Sequence, residues 1–120
     1  MRIISFARTM PAILARRKTC TRREWNDNYA LQCHKGDVVA GYDRNPRFGG
    51  RQICTIKLTE NPYKDRYCAL PYSDWVAEGF EYLEVIGATV GQLTPREIWG
   101  EWKNSAECCW VIRFEIVEIK

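Results

Sequence analysis

Two alternating runs, at residues 52–58 and 110–117, constrain the fold of this chain more than any other feature. In Gln52-Ile53-Cys54-Thr55-Ile56-Lys57-Leu58 the apolar residues Cys54, Ile56 and Leu58 recur at every second position, the pattern of a strand with one buried face. Trp110-Val111-Ile112-Arg113-Phe114-Glu115-Ile116-Val117 repeats it near the other end. Shorter β-rich runs occupy 3–7 and 38–42, and Lys18-Thr19-Cys20-Thr21-Arg22 has the alternating, β-branched character of another strand. Helix signals fall between them. Thr9 offers an N-cap ahead of Pro11, with Met10, Ile13 and Leu14 at helical spacing, so a short helix should end near Arg16-Arg17. Ser73 can cap a helix over 74–78, with Asp74 favouring its N-terminus, and a second covers 80–86. Thr94-Pro95-Arg96-Glu97 is a capping box for a third helix that reaches about Trp102. Residues 24–35 are polar, contain Asn26-Asp27-Asn28 and read as a loop; 35–37 and 45–50 read as turns.

Short strands with helices between them, but without a βαβ rhythm, point to an α+β fold. The expectation is a small mixed β-barrel of about five to six strands with short flanking helices. Without repeats or linker-like stretches, the 120 residues should form one domain, 1–120. No apolar run approaches the roughly 20 residues needed to span a bilayer, so no membrane partner is expected. The six cysteines lack the close ligand pairs of a structural zinc site, and His34 is the only histidine. They read as scattered, reduced thiols of a cytoplasmic protein with no metal and no cofactor.

Charge is unevenly spread. Residues 1–23 hold seven basic groups and no acid, whereas the remainder holds eleven basic and fifteen acidic groups. An anion-facing surface near the N-terminus follows. A transit peptide is the rival explanation of such a run, but the strand at 3–7 argues against it.

The basic run carries a resemblance. Ile13-Leu14-Ala15-Arg16-Arg17-Lys18-Thr19-Cys20-Thr21-Arg22-Arg23 resembles the opening signature of the ASCH family, PUA-like domains in which a helix ends in a Gly-Arg-Lys-Thr-x-Thr-x-Arg-like turn. Lys35-Gly36-Asp37-Val38 resembles the family's Gly-Asp turn, Ala77-Glu78-Gly79-Phe80 its Glu-Gly-Phe motif, and 110–117 its closing strand. The matches span nearly the whole chain in the family's order. One departure is that Arg17 stands in the small-residue context before the Lys-Thr pair. The resemblance implies a PUA-like barrel that handles RNA or a modified nucleoside. It is similar in particular to small amidohydrolases that remove the acetyl group of acetylcytidine, and it places their lysine, threonine and glutamate on Lys18, Thr21 and Glu78.

That trio makes chemical sense. A threonine hydroxyl needs a base to become a nucleophile. A lysine can be that base once burial and nearby cations depress its pKa, and Arg17, Arg22 and Arg23 are such cations. A glutamate can shuttle the proton to the leaving amine. Lys18 and Thr21 are three apart, so a regular strand would send them to opposite faces; a turn or bulge between them is required. The plainer alternative is a non-catalytic RNA-binding module, with Lys18, Arg22 and Arg23 on phosphates and Glu78 a surface carboxylate or a partner of Arg22. A third is a metal-independent ribonuclease using His34 as base. Trp25, in a polar loop beside the basic motif, is a candidate base-stacking platform. Arg44, Arg47 and Arg51 surround the 45–50 turn, where Arg47 is a candidate second phosphate contact. Trp99, Trp102 and Trp110 read as packing residues. The sequence leaves the oligomeric state open.

Overall fold

The computed structural model describes residues 2–120. Its organising element is β6 (Cys108–Ile119), twelve residues long, which contains the C-terminal alternating run. The first half of β6 lies antiparallel to β2 (Cys20–Arg23), with Arg113 opposite Cys20 and Trp110 opposite Arg23. The same half pairs with β5 (Tyr63–Arg66), with Val111 opposite Tyr63. The second half pairs antiparallel with β4 (Gln52–Leu58), where Phe114 faces Leu58. From there the sheet continues antiparallel through β3 (Val38–Tyr42) and parallel to β1 (Ile3–Ser5), giving the order β1-β3-β4-β6-β2 with β5 also on β6. Register shifts between Thr55 and Ile56 and between Gly41 and Tyr42 mark bulges, which increase local twist. The six strands curl into a half-barrel, the mixed α+β architecture that the alternating runs imply.

The two alternating runs bury the faces expected of them. Cys54, Ile56 and Leu58 of β4 meet Trp110, Ile112 and Phe114 of β6 in a core completed by Ile4, Phe6, Ile13 and Val39. A second cluster lies among the helices, where Trp75, Phe80, Leu83, Val90 and Ile98 close over Ala12. It is built from α1 (Met10–Leu14), α3 (Asp74–Ala77), α4 (Phe80–Val85) and α5 (Pro95–Lys103), with Trp99 and Trp102 packed against it. A third, smaller cluster of Cys20, Tyr67, Cys109 and Val111 covers the other face of β6. The first half of β6 is therefore buried on both sides, as a central strand must be.

Two elements depart from the sequence expectation. The 24–35 segment is not all loop, because α2 (Asp27–Leu31) forms within it. Asn26 Oδ1 accepts the Asn28 N–H at 2.9 Å and caps the helix, so the Asn-Asp-Asn run acts as a helix start rather than a turn. β5 has no apolar alternation to announce it and forms through its pairing with β6. The capping box of α5 is complete, with Thr94 and Glu97 exchanging both bonds. Thr9 and Ser73 occupy N-cap positions but make no side-chain cap bond. All six cysteines are free. The vicinal pair divides as strand alternation demands, Cys108 exposed and Cys109 buried. No helix among the described residues is long and apolar enough to cross a membrane.

Candidate functional site

The site begins where α1 stops. Arg16 takes a left-handed conformation, φ 59°. Its N–H reaches Ile13 O at 2.9 Å while Arg17 N–H reaches Ala12 O at 2.8 Å, the paired bonds of a Schellman stop. The left-handed position is thus Arg16, one residue before the Arg17 departure seen in the sequence. The chain then turns inward. Thr19 N–H donates to Ala77 O at 2.8 Å and Thr19 O accepts from Phe114 N, so β2 starts only at Cys20. Lys18 precedes the strand, so regular strand alternation does not govern its side chain relative to Thr21; the turn itself lies earlier, at Ala15–Arg16, and no bulge falls between Lys18 and Thr21.

Glu78 arrives from the other side. It follows α3 and precedes Gly79, which is left-handed at φ 89°. A Cβ on Gly79 would lie 2.6 Å from Ala12 Cβ and 3.4 Å from Lys18 Cβ. The α3–α4 corner therefore closes directly on α1 and Lys18, and only glycine permits both the approach and the backbone angle. Lys18 and Glu78 end 2% and 1% exposed.

Burying charges at that depth requires partners, and they form a chain. Lys18 Nζ donates to Glu78 O at 2.8 Å and Glu78 Oε1 at 3.1 Å. Arg22 Nη1 donates to Glu78 Oε2 at 2.7 Å and Arg22 Nη2 to Asp74 Oδ2 at 2.6 Å. Arg113 closes the chain on Asp74 with two bonds of 2.9 Å and also donates to the Tyr63 hydroxyl. Charge alternates along it, with three cations to two carboxylates. Burial lowers the Lys18 pKa, although Glu78 pulls it back toward the charged form. Burial also opposes the charge of Arg22, but Glu78 and Asp74 more than compensate and raise its pKa. Asp74 resists its own burial because Arg113 and Arg22 bond to it, and its pKa falls below the ordinary value. The Cys20 thiol, pushed far up by burial and then by Glu78, is kept protonated beside the chain.

Thr21 lies 3% exposed, and its Oγ1 accepts from Arg23 Nε at 3.1 Å. No hydrogen bond joins Thr21 to Lys18 among the described residues. Both, however, line one cavity of about 420 Å³, together with Arg22, Arg23 and Glu78. Its apolar wall includes Phe6, Phe80, Tyr67 and Trp102. This size lies within the ordinary range for small-molecule pockets, roughly 300–1,000 Å³.

The remaining expectations sort by place. Arg22 lines the cavity, but both its amino groups are spent on carboxylates, so it organises Glu78 and Asp74 rather than offering itself to phosphate. Glu78 is the partner of Arg22 and not a surface group. Arg17 and Arg47 are exposed and outside the cavity lining. Trp25 is half-buried and packs edge-on against Tyr29 at 4.9 Å, beside the main core and away from the cavity lining. His34 is exposed and also outside that lining. Asp74 and Arg113 are the members that sequence reasoning misses. Asp74 looks like a helix-start acid, but its carboxylate is bound by two arginines. Arg113 had a legible signal, as a charge set between Ile112 and Phe114 in a buried strand.

No known family model matches the chain, and no curated protein matches it. Among solved structures, a crystal structure of an Enterococcus faecalis protein assigned to the family DUF984 superposes with a TM-score of 0.58 at 15% identity. The match covers 94% of this chain and 72% of that one. At that identity the likeness establishes the fold, a curled half-barrel sheet with short helices, and carries nothing about chemistry.

Proposed function

We propose that the chain is an ASCH-type, PUA-like domain whose cavity holds a modified pyrimidine nucleoside, free or within RNA, and hydrolyses an acyl amide on its exocyclic amine. One observation carries this reading. Lys18, Thr21 and Glu78, the positions singled out by the family resemblance from segments about sixty residues apart, line the same aromatic-edged cavity. Phe6, Phe80, Tyr67 and Trp102 give a flat base apolar surface to pack on.

In this mechanism Lys18 first gives up its own proton, which burial favours by lowering its pKa, and the neutral amine then takes the proton of the Thr21 hydroxyl. The Thr21 oxygen attacks the acyl carbon, the carbon–nitrogen bond breaks, and the exocyclic amine leaves with the proton relayed through Lys18 and Glu78. Water then hydrolyses the acyl-threonine and releases the carboxylic acid. Thr21 Oγ1 is held by Arg23 in the free protein, so substrate binding has to release it toward Lys18; such contacts commonly tighten only in the complex. The test is to incubate the protein with acetylcytidine, free and within an oligoribonucleotide, and follow loss of the acetyl group by mass. Loss that vanishes in Thr21→Ala supports the mechanism, and hydrolysis retained in that variant refutes it.

A second reading has its own support. Both Glu78 oxygens are already engaged by cations and Thr21 by Arg23, which suits a preorganised, non-catalytic RNA-binding pocket. Salt-sensitive RNA binding without turnover would select it.

A further inference from the structure

The buried chain uses its carboxylates on Lys18, Arg22 and Arg113. Two other arginines in the cavity lining have none. Arg23 donates only to neutral acceptors, Thr21 Oγ1 and Ser5 O, the latter at 2.7 Å, and lies over the Phe6 ring. Its second amino nitrogen, Nη1, bonds to nothing in the protein among the described residues. Nη1 is not a buried atom, so it stays open to a ligand, and a half-buried guanidinium without a counter-ion is a ready partner for an anion. Arg8 lies on the β1–α1 connection, exposed and with no ion pair among the described residues. Its guanidinium packs over Gly91, where a Cβ would come within 3.6 Å of Nε. The neighbouring Thr9 is buried, lines the same cavity, and its hydroxyl has no protein partner among the described residues. Glu24 is the one lining carboxylate without a cationic partner, and it offsets a single charge; the lining as a whole holds four cations against two carboxylates.

We infer that the ligand carries a phosphate beside its base and that Arg8 and Arg23 hold that phosphate, with the Thr9 hydroxyl next to them. This inference rests on the nucleoside-binding reading above and narrows its substrate class to nucleotides. The phosphate is either the terminal group of a mononucleotide or an internal phosphodiester of RNA. Paired guanidinium forks suit both, since each presents planar donors to phosphate oxygens. Arg22 is excluded from this role by its carboxylates.

Equilibrium binding of cytidine, cytidine 5′-monophosphate and a short oligocytidylate to the intact chain tests the assignment. The phosphorylated ligand should bind about tenfold tighter than cytidine or better, with an advantage that shrinks as salt rises. Arg8→Gln and Arg23→Gln should each erase that advantage. An advantage seen with the mononucleotide identifies a terminal phosphate, and one seen only with the oligomer identifies a phosphodiester; either supports the subsite. Equal affinity for all three ligands overturns it, as does an advantage that survives both substitutions. Deacylation of acetylcytidine with no phosphate preference refutes the subsite alone. Phosphate-dependent binding that is lost in Arg8→Gln, without deacylation, refutes the hydrolase alone.

Discussion

Asp74→Asn is the substitution that most sharply tests the buried charge chain. Asp74 is 1% exposed and accepts three bonds from two guanidinium groups, at 2.6, 2.9 and 2.9 Å. Asparagine keeps the shape but removes the charge, and its amide places a donor against a donor. Arg22 would then rely on Glu78 alone, with its Nε already lacking a partner. Breaking a buried pair by removing one member typically costs about 3–5 kcal/mol. The remaining bonds to Glu78 and Tyr63, and the partial exposure of Arg113, favour the lower end. Against a total stability of about 5–15 kcal/mol this is large. With a urea slope of about 2 kcal/mol/M, the unfolding midpoint should fall by about 1.5–2 M at unchanged slope. Tryptophan fluorescence during urea titration reads it. The pH dependence supplies an internal check. The folded pKa of Asp74 lies below the ordinary 3.8, so its contribution is full above that value and is lost as pH falls through the lower folded one. The gap between wild type and variant should therefore be constant near neutrality and close in strong acid. The exposed pair Arg96–Glu84 is the control, where Glu84→Gln should cost no more than about 1 kcal/mol. A loss below about 1 kcal/mol in Asp74→Asn, or a gap that ignores pH, would refute the reasoning.

Gly79→Ala combines a left-handed backbone with a 2.6 Å approach to Ala12; a loss of more than about 2 kcal/mol is expected in the same titration, and a neutral result would contradict the close packing of the α3–α4 corner. Arg16→Gly removes the left-handed strain at the end of α1 and should stabilise by about 0.5–1 kcal/mol, seen as a rise in Tm of a few degrees; a fall in Tm would count against that account. If Lys18 is the base, the rate should climb with pH along a limb that lies below its ordinary value of 10.5, since burial lowers the pKa. Lys18→Met should remove both the limb and the activity, and a limb that persists in that variant assigns the base elsewhere.

Much of the scaffold is legible because period-two alternation and reciprocal capping are local codes. The 52–58 run and the Thr94–Glu97 box say what they will become without reference to the rest of the chain. β5 carries no such code, since Tyr63-Lys64-Asp65-Arg66 becomes a strand only when β6 offers it a partner. In α2 the same Asn and Asp residues serve turns and helix starts equally well, and the N–H of Asn28 decides between them. The site divides in the same way. Lys18, Thr21 and Glu78 stand out through family resemblance rather than through any periodicity. The pairing of Arg22 and Arg113 on Asp74 joins segments 52 and 39 residues apart, and no local pattern encodes it. A lone arginine in a largely buried alternating run shows that polar partners are needed somewhere, though not which or where. The exposure of Arg17 and the packing of Trp25 on Tyr29 likewise depend on how α1 and α2 settle against the sheet.

The most direct test of the central claim is a crystal structure of Thr21→Ala soaked with acetylcytidine. The proposed chemistry predicts the base inside the cavity against the Phe6, Phe80 and Trp102 walls, with the acyl carbon within about 3–3.5 Å of where the missing Thr21 oxygen would sit. Ligand bound elsewhere on the molecule, or a cavity still empty at saturating acetylcytidine, would contradict it.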